Sequence, residues 1–218
     1  MAELQADANH RTLAMRSQSP AQELKEAESL LRSHEKAERE INVTLQRVEW
    51  LSGEAKRLMS QQPAVCERLG KHQRTLNQAW EELKNEAKQR HTQLECALEE
   101  LLFYNAAKEL MKWMEDVQAK MATARQPQSV VEAESLLEVH KELQIEISAK
   151  RQRFDEVRAC GAALLAVRHA SRAEVRKELQ QLSEAQGKLD DAWRDRNNLL
   201  TQALSFQVKC MIDPRGEK

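Results

Sequence analysis

The sequence predicts an all-α fold: two tandem antiparallel three-helix bundles joined by a continuous helix. Three observations carry that expectation. The hexapeptide Glu-Ala-Glu-Ser-Leu-Leu occurs at Glu26–Leu31 and again at Glu132–Leu137, an offset of 106 residues. A fixed period this long marks a chain built from two copies of one unit. Each copy is followed at the same distance by a histidine, His34 and His140, and then by a Glu-Ile pair, Glu40-Ile41 and Glu146-Ile147. Second, helix formers dominate, and the 218 residues hold only 5 Gly and 4 Pro. Such a chain favours long helices over tight turns. Third, apolar residues keep a three-four rhythm. It runs Leu69, Leu76, Trp80, Leu83, Ala87, Leu94, Leu101, and later Leu179, Leu182, Gln186, Leu189, Trp193, Arg196, Leu200, Ala203. These are seam positions of heptads, as in bundled helices.

Five helices are expected, over 2–17, 21–60, 64–124, 128–168 and 171–211. Pro20, Pro63 and Pro127 fall at three of the breaks, where proline suits a first turn and opposes a helix interior. Ser19 and Ser129 beside them are capping candidates. The third helix has no Pro from Ala64 to Ala124, and its only Gly is Gly70. At 1.5 Å per residue it would be roughly 90 Å long. No compact domain needs that length, so the last helix of unit one is expected to run into the first helix of unit two. The domains are then 1–100, with a short first helix, and 101–211, followed by a polar tail over 212–218.

The copies differ in detail. Leu76-Asn-Gln-Ala-Trp80 resembles Leu189-Asp-Asp-Ala-Trp193, at an offset of 113 rather than 106. A heptad is therefore expected to be missing from the second hairpin of unit one, an indel that preserves seam phase. Trp50 has Glu156 at its matching position. It either fills space left by that shortened hairpin or stands exposed as an anchor for a partner.

These residues resemble spectrin repeats over nearly the whole chain, about residues 3–211. Phe103, Leu110 and Trp113-Met114 resemble the family's first-helix pattern. Leu30–His34 and Leu136–His140 resemble its second-helix pattern, and Trp80 and Trp193 its third-helix tryptophan. The finer resemblance is to a β-spectrin rod. One departure stands out: Trp113 projects back onto Asp7. Unit one is therefore expected to begin mid-helix or with a divergent first helix, as a piece of a longer rod would.

Composition narrows the partners. With 34 basic and 35 acidic residues the net charge is −1. That argues against nucleic acid, which needs a basic excess, and against direct attachment to acidic lipid. No apolar run spans a bilayer and no secretory leader is visible. Cys66, Cys96, Cys160 and Cys210 lack metal-site spacing, so reduced cytosolic thiols are expected.

The candidate residues read as structural. The expected core includes Trp80, Trp113, Trp193, His34, His140, Leu31 and Leu137, and the expected inter-repeat linker includes Leu94, Ala97, Leu101 and Tyr104. His34 and His140 lie on the seam without a second His or Cys at i+4, a poor ligand set for a metal. His10, His72, His91 and His169 sit among polar residues and read as solvated. Glu81 with Lys84, and Glu86 with Arg90, read as surface pairs along one helix. No catalytic constellation stands out, so no enzyme activity, cofactor or metal is expected.

The expected function is a structural rod segment, a flexible spacer and interaction surface beneath the plasma membrane. By resemblance, the parent would pair laterally with α-spectrin, crosslink actin, bind ankyrin and reach the membrane indirectly. The alternatives are a free-standing helical adaptor or a BAR-like membrane module. The latter would need a basic face.

Overall fold

A computed structural model describes residues 1–17, 19–62, 64, 66–122, 126–166 and 171–212. Five helices follow in order: α1 (Ala2–Ser17), α2 (Leu24–Gln61), α3 (Cys66–Ala122), α4 (Val130–Ala166) and α5 (Arg172–Ile212). No strand occurs among the described residues. The chain divides into two compact units, Met1–Leu101 and Leu102–Lys218. The division falls inside α3, which lends its first part to unit 1 and its last part to unit 2. Pro63, His169, the expected helix ends at 124 and 168, and positions 213–218 of the expected tail lie outside the described residues.

The repeated hexapeptide opens the second helix of each unit. Its first glutamate reaches back over the helix start in both: Glu26 Oε2 accepts from the Gln22 amide at 3.0 Å, and Glu132 Oε2 from the Gln128 amide at 2.8 Å. Amides at a helix start have no partner within the helix, so such a carboxylate stabilises both helix starts. Ser129 adds a side-chain cap, accepting from the Glu132 amide at 3.2 Å. Ser19 does not play that part in unit 1. The cap position of α2 is Glu23, which makes no side-chain cap bond.

The seam is a strict heptad. In α2 the buried positions are Ala27, His34, Ile41, Val48 and Ala55. In α4 they include Ala133, His140, Ile147, Phe154 and Gly161. Leu76, Leu83 and Leu94 face them in unit 1, and Leu182, Leu189 and Leu200 in unit 2. Burying each of the larger side chains contributes roughly 1.5–3 kcal/mol.

Every pair in those two sets keeps the 106-residue offset, so no heptad is missing from unit 1. That expectation is corrected. Trp80 corresponds to half-buried Gln186, and Trp193 corresponds to Ala87. The look-alike sequences around the two tryptophans stand one heptad apart on the same seam. Bulk is redistributed between levels. Unit 1 pairs Trp80 with the smaller Val48, both lining one cleft. Unit 2 has Phe154 and Trp193 where unit 1 has Val48 and Ala87.

Gly161 has a packing reason. A Cβ there would lie 2.8 Å from both Phe103 Cε2 and Leu179 Cδ2. Phe103 is 1% exposed, so its ring edge has little room to yield. Glycine costs about 0.5–1 kcal/mol against alanine in a helix, and here the close approach of the ring holds it.

Candidate functional site

Each unit carries one buried polar layer built on its second-helix histidine. In unit 2, His140 is 3% exposed. Its Nε2 donates to the Trp193 carbonyl at 3.0 Å, and Trp193 Nε1 donates to the His140 carbonyl at 3.3 Å. The rings stack with centroids 4.9 Å apart and planes 8° from parallel. The pair is a reciprocal clamp between α4 and α5. In unit 1, His34 Nε2 donates to the Ala87 carbonyl at 3.0 Å, with the same 53-residue separation. Ala87 offers no ring to stack on.

Burial pushes the His140 pKa down, Arg196 pushes the same way, and the bond to Trp193 opposes both. A neutral His140 is thus favoured in the folded state. Above the unfolded value near 6.5 neither state is protonated and folding carries no penalty. As pH falls below it, the unfolded chain takes the proton first, and stability is lost. An NMR titration should place His140 below 6.5, and the urea midpoint of unit 2 should fall between about pH 7.5 and 5.5. A midpoint that rises with acid, or a titration above 6.5, would contradict the assignment.

A second polar contact differs between units. Trp113, half-buried, donates from Nε1 to Glu146 Oε1 at 2.8 Å and packs edge-on with Phe154, ring centroids 6.2 Å apart. In unit 1 the matching Asp7 cannot donate from an indole. Instead Arg11 lies 3.0 Å from Asp7 and 3.5 Å from Glu40, the counterpart of Glu146. The same acid is satisfied by a cation.

The remaining residues divide by burial. Trp80 is 1% exposed, with its Nε1 buried and without a hydrogen-bond partner among the described residues. Leu31 and Leu137 are half-buried. Leu94 is buried, while Ala97, Leu101 and Tyr104 are half-buried. Trp50 is 65% exposed. It faces solvent rather than filling the hairpin, and Val43, one heptad earlier on α2, is exposed too. Glu81 pairs with Lys84 at 3.2 Å. Glu86 instead pairs with Arg16 of α1 at 2.8 Å, because α1 packs beside it. His91 is not simply solvated: its Nδ1 lies 3.0 Å from Glu38 of α2. None of the four cysteines is in a disulfide, and burial raises the Cys96 thiol pKa.

The profile of the Spectrin repeat family matches residues 2–96 and again residues 98–202. The chain belongs to the spectrin repeat family. It is similar to spectrin beta chain, non-erythrocytic 5, of Homo sapiens, at 29% identity over 186 residues, which is 85% of this chain and 5% of that protein. It is similar to spectrin alpha chain, erythrocytic 1, of Mus musculus, at 28% identity over 195 residues, 89% of this chain and 8% of that protein. It also resembles spectrin beta chain, erythrocytic, of Mus musculus, at 26% identity over 179 residues, 82% of this chain and 8% of that protein. The chain thus spans less than a tenth of the length of these relatives. Spectrin repeats are structural helical bundles, and unit 1 and unit 2 are two of them in tandem. Among the described residues, no helix is long and apolar enough to cross a membrane.

Proposed function

We propose that these two repeats form a rod segment of a spectrin-like membrane-skeleton protein, at the cytoplasmic face of the cell cortex. Its work is to set spacing and to present surfaces to protein partners. The observation that carries this reading is the match of two consecutive spectrin repeats within one chain that spans only 5% to 8% of spectrin relatives. The finer assignment is to a β-type chain, pairing laterally with an α-spectrin chain. Ankyrin and actin would be reached through the parent protein. Leu94, Ala97, Leu101 and Tyr104 make up the stretch of α3 that links the repeats. The opposite charges are nearly equal, at 34 and 35, which favours protein partners over direct lipid binding.

Immunoblotting of source tissue with an antibody to this segment tests the reading. A polypeptide far larger than 25.1 kDa supports it; a native product near that mass sinks it. Trp50 is the proposed partner anchor, because a large exposed aromatic contributes heavily when an interface covers it. Trp50→Ala should leave the urea midpoint within about 0.5 kcal/mol of the parent. It should also weaken pull-down of an α-spectrin rod fragment several-fold. Equal pull-down by both proteins would remove Trp50 from the interface.

A further inference from the structure

We propose that unit 1 holds a binding site for a divalent transition-metal ion of the zinc class, built from His34, Glu38 and His91. The site pins α2 to α3. His34 Nε2 lies 3.5 Å from Glu38 Oε1, and His91 Nδ1 lies 3.0 Å from Glu38 Oε2. All three ligand atoms fall within 4.8 Å of one another. Zinc bonds of about 2.0–2.2 Å to imidazole and carboxylate draw such atoms together with modest side-chain movement. Two imidazoles and a carboxylate select zinc, cobalt, nickel or copper over magnesium or calcium, which prefer all-oxygen shells.

Three further features point the same way. The His91 Nδ1 is shut away from solvent and makes no hydrogen bond among the described residues, although the Glu38 oxygen is 3.0 Å off. Two lone pairs that converge on a third point stand in this relation. On the far side of the ring, His91 Nε2 lies 3.3 Å from Glu95 Oε1. A carboxylate there fixes the tautomer that leaves Nδ1 free for a metal and raises its basicity. The two helices therefore contribute matching His-x-x-x-Glu pairs, one turn long: His34 with Glu38, and His91 with Glu95.

Unit 2 shows what the same layer looks like without a site. At the positions of Glu38, Ala87, His91 and Glu95 it carries Gln144, Trp193, Asn197 and Thr201. There the histidine ring is covered by the stacked indole. Unit 1 replaces the indole with alanine and places His91 beside His34, ring centroids 5.9 Å apart. A cleft of ≈ 310 Å³ reaches His34 from the α1 side. On binding, the ion takes the Nε2 position now bonded to the Ala87 carbonyl, and the His34 proton moves to Nδ1. Losing that bond weakens the site relative to a preformed one.

The test is cobalt(II) titration of the full, reduced chain, read by visible absorption, with zinc competition and urea midpoints alongside. One cobalt per chain should bind, zinc should displace it, and zinc should raise the midpoint of unit 1. Glu38→Gln and His91→Asn install the type of residue unit 2 already carries at each place, so both variants should fold without metal. Each should weaken cobalt binding by at least ~100-fold, and Glu95→Gln by ~10–100-fold as an outer partner. If His91→Asn fails to fold, Glu38→Gln decides alone. No saturable cobalt uptake, or uptake at parental affinity in either folded variant, overturns the proposal.

Discussion

Trp80→Ala should cost unit 1 about 3–5 kcal/mol, the usual loss when a buried indole is cut to a methyl. Trp80 is 1% exposed and packs in a core cluster with Ile41, Val48, Leu76 and Leu83. A bundle of this size has only about 5–15 kcal/mol in hand, so unit 1 should unfold at far lower urea than unit 2. Far-UV circular dichroism would show the early loss of helix. The indole Nε1 has no hydrogen-bond partner among the described residues, so removing it recovers part of the loss, and Trp80→Phe should be much milder than Trp80→Ala. A Trp80→Ala protein with an unchanged first transition would mean that unit 1 is held by something other than this core.

Ala97→Pro should break α3 in its interior. Proline at 97 removes the amide that bonds the Gln93 carbonyl and clashes with that carbonyl, at a cost of about 3 kcal/mol or more. α3 supplies one of the three helices of each unit, so the damage falls on the one element both share. If α3 couples the repeats, the unfolding transitions of the two units lie close together in the parent and move apart in Ala97→Pro. Calorimetry reads this directly, and equal cooperativity in both proteins would refute coupling. The buried Leu94, a turn upstream, should be the first residue of unit 1 to lose amide protection in the variant.

Much of this fold was legible in the sequence because helices and seams are written in period. The five helices fall within a few residues of where the Pro breaks and the heptads place them. Register was harder. Trp80 and Trp193 share a local context and a seam phase, so a slip of seven residues leaves the pattern intact. Only contacts across helices separate them. The bonds from His34 to Ala87 and from His140 to Trp193 do so. The same blindness hid Glu86 with Arg16 and His91 with Glu38. Reading along one helix shows partners at i+3 and i+4; partners on a neighbouring helix need the register first. The paired His-x-x-x-Glu spacing was present in the chain, repeated 57 residues apart, and would have flagged the cluster once the two antiparallel helices were set in register.

The close approach at Gly161 ties three positions together in descent. Every single-base change that replaces this glycine by another residue adds a Cβ, 2.8 Å from Phe103 Cε2 and Leu179 Cδ2. A lineage can keep such a change only if the ring or the leucine shrinks with it. Unit 1 already displays another solution, with Ala55 and Gln73 at the places of Gly161 and Leu179, and Gln73 turned to bond the Ser52 carbonyl at 3.0 Å. Among related repeats, a glycine at this site should therefore co-vary with a large residue at the matching aromatic and leucine positions, and an alanine with smaller or polar ones.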